Sequence, residues 1–143
     1  MPSRVRAFCG FSKYHDIEVE DEVTAYLEYP NGATGVFVTP PGATPGPHRM
    51  EIAGDRGKVV YEEGKVTFTR TEVSTREFRE TSRGSFDKPD VWRCEIPVNG
   101  YGGQHVEMRQ NCGDASRDGK PLIAPAPEGI HSVELANAIL YSA

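Results

Sequence analysis

The chain has 143 residues, a formal net charge of −5, 37% hydrophobic residues, 15 glycines and 11 prolines. The acidic balance argues against a nucleic-acid or anionic-membrane partner, and no apolar stretch approaches the roughly 18 residues of a bilayer span. The length suits a single domain over 1–143 with its own core, and the glycine and proline content favours short strands and turns over a helical bundle.

Residues 3–98 read as strands and turns. Val5, Ala7 and Cys9 alternate with Arg4, Arg6 and Phe8, the two-residue period of a half-buried strand. Val23, Ala25, Leu27 and Tyr29 alternate in the same way with Glu22, Thr24, Tyr26 and Glu28. Asn31-Gly32 follows as a hairpin signal, expected as a type I′ turn, and Thr34 to Thr39 returns with Val36 and Val38 on one face. Residues 40–47, PPGATPGP, cannot form a ladder strand and are expected as a surface loop that rims a binding site. Met50 and Ile52 open the next strand, Asp55-Arg56-Gly57 turns it into Lys58–Tyr61, and Glu63-Gly64 turns again into Val66, Phe68 and Arg70. Residues 73–83 are expected to continue as a weakly alternating strand, 84–90 as a loop, and Val91–Val98 as a last strand carrying the only tryptophan, Trp92. Strands joined by tight turns imply an antiparallel meander, not a doubly wound parallel sheet.

The period then changes. Tyr101, His105, Met108, Cys112 and Ala115 mark one stripe of a helix over about 103–118, ended by Asp118-Gly119 with Pro121 beyond. Pro127-Glu128 opens a second helix over about 127–142, with Ile130, Val133, Ala136 and Leu140 on one face and Leu135 and Ile139 widening it. The fold class is therefore α+β: an open, mainly antiparallel β-sheet with two C-terminal helices covering one face.

Little in the chain builds local chemistry. No GxGxxG loop is present to cradle a dinucleotide, and Gly100–Gly103 is a weak cluster ahead of a helix. His15-Asp16 and the run Glu18, Glu20, Asp21 and Glu22 could collect a hard cation, with Asp16, Glu18, Glu20 and Glu22 on one side of an extended segment, although a solvated strand entry is the plainer account. His105 falls on the apolar stripe, where a packed histidine is expected, and His131 lies off its helix's stripe and is expected exposed. His48 and Arg49, directly after the proline loop, and Trp92 are the candidate substrate-lining residues. Arginine suits an anionic or hydroxylated ligand and an indole face suits the CH surface of a sugar, while an exposed strand start and core packing are the bland alternatives. Arg70, Arg76, Arg79 and Arg83 interleave with Glu72, Glu77 and Glu80 as a mixed-sign solvated face. Cys9, Cys94 and Cys112 are an odd, widely spaced set without CxxC spacing, which fits reduced thiols in the cytoplasm better than disulfides or a zinc site. The N-terminus shows no apolar leader. No metal site and no catalytic residue is expected.

Six segments, in order, resemble the C-terminal domain of Gfo/Idh/MocA oxidoreductases. Pro2–Ala7 resembles the strand that leaves the dinucleotide half, Glu20–Ala33 the acidic strand running into an NG hairpin, and Met50–Lys58 the EI-G-G turn. His105–Met108 with Asn111, Asp114-Ala115 and Arg117–Leu122, and then Glu128–Ala138, are similar to the two terminal helices. Cys112-Gly113 and Ser116 depart from the larger apolar residues usual there, and Gly113 inside a helix costs about 1 kcal/mol relative to alanine. The resemblance implies an enzyme that moves a hydride between nicotinamide and a sugar, inositol or related polyol. Its NAD or NADP would be held by an N-terminal Rossmann domain that also carries a Glu-Lys-Pro lysine and an Asp/His pair. None of those motifs occurs in this sequence, so no catalytic or cofactor-binding residue carries over. The resemblance further implies a substrate-side domain that is silent by itself and homo-oligomeric through an open sheet face. A stand-alone module that self-associates and binds carbohydrate, or docks a Rossmann partner in trans, is the rival expectation.

Overall fold

The computed structural model describes residues 1–40, 42, 48–84, 86–98 and 104–143. Most of the proline loop, together with Gly100–Gly103, lies outside the described residues. The chain forms two compact units, one of residues 1–46 with 105–143 and one of residues 47–104.

The first unit holds an antiparallel sheet of β1 (Arg4–Phe11), β2 (Glu20–Glu28) and β3 (Thr34–Thr39) in that order, with helices α2 (Gln104–Asp118) and α3 (Ala126–Ser142). Alternation sorts the strands as expected: Ala7, Val23, Ala25 and Leu27 point inward and meet Ile139 of α3, with Val5, Cys9, Tyr29 and Leu135 packed around them. Each large aliphatic side chain in this thin core contributes about 1.5–3 kcal/mol by leaving water. The Ser142 hydroxyl accepts from Ala7 N–H at 3.2 Å and donates to Val5 C=O at 3.1 Å, so the end of α3 satisfies backbone groups on the outer edge of β1. Gly119, at φ +66°, donates to Ala115 C=O and ends α2, which runs unbroken through Gly113.

The second unit is a four-stranded antiparallel meander of β4 (Arg49–Gly54), β5 (Gly57–Glu62), β6 (Lys65–Thr71) and β7 (Val91–Ile96), with helix α1 (Thr75–Thr81) between β6 and β7. Helix α1 corrects the expected strand over 73–83. The Ser74 hydroxyl accepts from Glu77 N–H at 3.0 Å, and Ser74-Thr75-Arg76-Glu77 has the spacing of a capping box. Asp55 anchors the same turn by accepting from Thr75 N–H at 2.8 Å through its carbonyl and from Arg76 N–H at 3.1 Å through its carboxylate.

The two hairpin signals exchange roles. At Pro30-Asn31-Gly32 the expected type I′ turn is replaced by a three-residue loop. Gly32 N–H donates to Tyr29 C=O, Tyr29 N–H donates to Ala33 C=O, and Gly32 alone takes positive φ, at +83°. Proline at the first corner presets a type I turn, and Gly32 then forms the bulge that restores the strand twist. The type I′ turn sits at Glu63-Gly64, between the paired Glu62 and Lys65, with φ of +49° and +76°. Glutamate tolerates the left-handed region poorly. Glu63→Gly is therefore expected to raise unfolding stability by about 0.5–1 kcal/mol in urea denaturation, and an unchanged midpoint would contradict this assignment of the turn.

Candidate functional site

Register divides the second unit's sheet into two unlike faces. One carries Met50 and Ile52 of β4, Val59 and Tyr61 of β5, Val66 and Phe68 of β6, and Trp92, Cys94 and Ile96 of β7. Four of these, Met50, Ile52, Trp92 and Ile96, are between 43% and 60% exposed, so the face is apolar and uncovered. Helix α1 buries no residue of its own.

The opposite face is polar. Arg49, Lys58, Glu62, Lys65, Thr67, Thr69, Arg93 and Glu95 line a depression of about 350 Å³ with Val60 in its floor. Half of it is an ion-pair network: Arg49 reaches Glu51 at 2.5 Å and Glu62 at 3.4 Å, and Lys58 reaches Glu51 at 3.1 Å. Hydrogen bonding from Arg49, then Lys58, holds the Glu51 carboxyl below its ordinary range, and the Glu51 hydrogen bond with the Glu62 charge keeps Arg49 protonated still more firmly. These side chains are well exposed, so the network orients Arg49 more than it stabilises the fold.

The three sequence-derived substrate residues do not converge. Arg49 is on the polar face at the start of β4 and His48 is exposed just before it. Trp92 pairs with Arg70 on the apolar face of the far edge strand. The stretch of residues 40–47 expected to rim a site falls mostly outside the described residues.

In the first unit a smaller groove of about 190 Å³ lies between α2 and residues 122–124, lined by Met108, Cys112, Leu122 and Ile123 among others. Asn111 fixes its wall by donating to Pro121 C=O and accepting from Ile123 N–H, both at 3.0 Å. His105 is exposed, which corrects its expected packing; the face it shares with Met108 and Cys112 is largely solvent-facing, while His131 is exposed as expected.

The acidic entry to β2 is arranged differently from the expected row. Asp16 and Glu18 lie in an irregular exposed loop, and no group of three metal-ligating side chains occurs among the described residues. The buried carboxylate is Asp21, 2% exposed, on the other side of the alternation and in phase with Val23. Gly10 pairs with Glu22 and Phe11 with Glu20, which leaves Asp21 as the extra residue of a β-bulge. Its carboxylate accepts from the backbone N–H groups of Lys13 at 3.0 Å, Tyr14 at 2.6 Å and His15 at 2.9 Å. Burial pushes the carboxyl up, but those hydrogen bonds and the His15 charge outweigh it and leave Asp21 below its ordinary 3.8. An acidic residue at an inward strand position was the sequence signal for it.

A three-stranded antiparallel sheet with α3 packed across β1 and a separate four-stranded meander define an α+β fold of open antiparallel sheets. The sequence matches the oxidoreductase family C-terminal alpha/beta domain of the Gfo/Idh/MocA group over residues 1–143, and the chain belongs to that family. Biliverdin reductase from Synechocystis sp. PCC 6803, solved with biliverdin and NADP+, has a similar fold, with a TM-score of 0.71 and 18% identity over 99% of this chain and 40% of that one. The putative oxidoreductase YvaA of Bacillus subtilis aligns with a TM-score of 0.59 and 16% identity over 99% of this chain and 43% of its own. The chain thus spans about two fifths of the solved structures it matches. A search of curated proteins gave no match.

Proposed function

We propose that this domain is the substrate side and the oligomer interface of an NAD(P)-dependent oxidoreductase acting on a sugar or inositol-like polyol, and that it is silent by itself. The uncovered apolar face of β4–β7 carries the reading. A sheet face of Met50, Ile52, Phe68, Trp92 and Ile96 costs solubility unless a second copy buries it, and charge is absent from all but its rim. Two copies meeting on this face would form the isologous contact of a cyclic dimer. The opposite face, rich in hydroxyl and charged groups, suits a polyhydroxylated substrate. The NADP+ bound by the Synechocystis neighbour supports a nicotinamide cofactor for the whole protein. The three free cysteines suit a reducing, cytoplasmic setting, and no described helix is long and apolar enough to cross a membrane.

Light scattering on the purified chain is expected to return a dimer or larger, and Ile52→Lys to return a folded monomer. A monomeric parent chain would overturn the interface. NADH-dependent turnover of myo-inositol by this chain alone would overturn its silence.

A further inference from the structure

We propose that the polar face of β4–β7 holds an oxyanion site, in which Arg93 and Lys58 flank Thr69 and receive the phosphate or carboxylate group of a small ligand. The register makes the triad: Lys58 of β5 pairs with Thr69 of β6, and Thr69 pairs with Arg93 of β7. With strands about 4.8 Å apart, the two cations start about 10 Å from each other on one face, a span that long side chains close around one anion. All three line the same depression of about 350 Å³.

The charges around the triad decide where an anion sits. Glu51 and Glu62 occupy Arg49, and Glu51 holds Lys58 at only one point, 3.1 Å. Arg93 has no ion pair among the described residues. Glu95 lies one row away beside Thr67, so it repels an anion from Thr67 towards Thr69, while Glu63 and Lys65 mark the distant end. Thr71 follows Thr69 on this face, and its hydroxyl is buried with no hydrogen-bond partner among the described residues. With Thr71 closed off from solvent, Thr69 is the hydroxyl between Lys58 and Arg93 that lines the depression.

The site lies on the face assigned above to the substrate and rests on that reading, and the whole chain can be tested directly. Binding of myo-inositol equal to that of the anions would spare the substrate face and overturn the oxyanion site alone. Amide spectra would be followed during titration with inorganic phosphate, with gluconate and with neutral myo-inositol. Saturable shifts confined to residues 58–60, 67–71 and 91–94 are expected with at least one anion. Phosphate alone would identify a phosphate ester as the ligand class, and gluconate alone a hydroxylated carboxylate. Arg93→Gln should weaken binding about tenfold and Arg93→Lys much less, in line with loss of one charge-assisted hydrogen bond. Thr69→Val should weaken it as well, with the spectra of both variants reporting that the sheet remains folded. No saturable shift with either anion, shifts scattered over surface lysines, equal binding of myo-inositol, or binding unaffected by Arg93→Gln would each overturn the site.

Discussion

Gly57→Ala is expected to unfold the second unit's sheet, lowering its stability by roughly 3 kcal/mol or more. Two separate conditions fall on this one residue. Its φ of +132° lies where L side chains are strained, and an added Cβ would collide with the Thr69 carbonyl oxygen and come within 2.9 Å of Arg70 Cα. Both obstacles are backbone atoms of the neighbouring strand, so no rotamer change relieves them. Gly57 pairs with Gly54 on one side and Arg70 on the other, and the adjacent Arg56 C=O accepts from Thr71 N–H at 3.1 Å. Displacing it breaks the β4–β5 turn and the β5–β6 ladder together. Urea unfolding followed through Trp92 fluorescence on β7 would measure the loss. A midpoint equal to that of the parent chain would mean that the close approach of β5 to β6 does not hold. Gly32→Ala offers the contrast, since nothing lies within 4 Å of its added Cβ, leaving only the strain of φ +83°.

This glycine also shows what sequence patterning could and could not reach. The second glycine of the EI-G-G motif is visible as a turn residue, yet its requirement comes from a neighbouring strand about a dozen positions away, which only register brings close. Strand order within each hairpin, the inward positions Ala7, Val23, Ala25 and Leu27, and both terminal helices were legible, because each follows from a local period. Helix α1 stands where residues 73–83 alternate only weakly, and its signal in the sequence is the capping-box spacing of Ser74 and Glu77. The turn at Asn31-Gly32 differs in type because a two-residue loop there would need a closing N–H from Pro30, which proline lacks, and Tyr29 N–H closes a three-residue loop instead. The candidate site was the least legible part. Residues 48, 49 and 92 share plausible chemistry but not a face, and a period of two decides faces only once the pairing is known. The Lys58, Thr69 and Arg93 row is invisible without register, since its members are spread over three strands.

Asp21→Asn is expected to release the loop of residues 12–19, with the Tm falling by roughly 5–10 °C and amide exchange at residues 13–15 rising sharply. The carboxylate presents two acceptor oxygens to three backbone N–H groups, one oxygen to Lys13 and the other to Tyr14 and His15. An asparagine in the same place turns one oxygen into an NH₂ group, so at least one buried backbone donor loses its acceptor and faces another donor. The loop has other ties, namely Ser12 Oγ donating to Ile17 C=O at 2.8 Å and Lys13 Nζ bridging to Glu22 at 2.5 Å, but both are exposed and weak. The same carboxylate sets an acid limit. Its folded pKa lies below the ordinary 3.8, so its stabilisation is complete above that value and is lost as pH falls through the lower folded one. In the parent chain the amides of Lys13, Tyr14 and His15 should therefore lose protection together below about pH 4, once exchange is corrected for its intrinsic pH dependence. In Asp21→Asn the three should already be unprotected at neutral pH, with no further step on acidification. A parent chain whose three amides open at different pH values would show that separate groups hold the loop. A variant that keeps full protection would show that β2 positions the loop without the Asp21 charge.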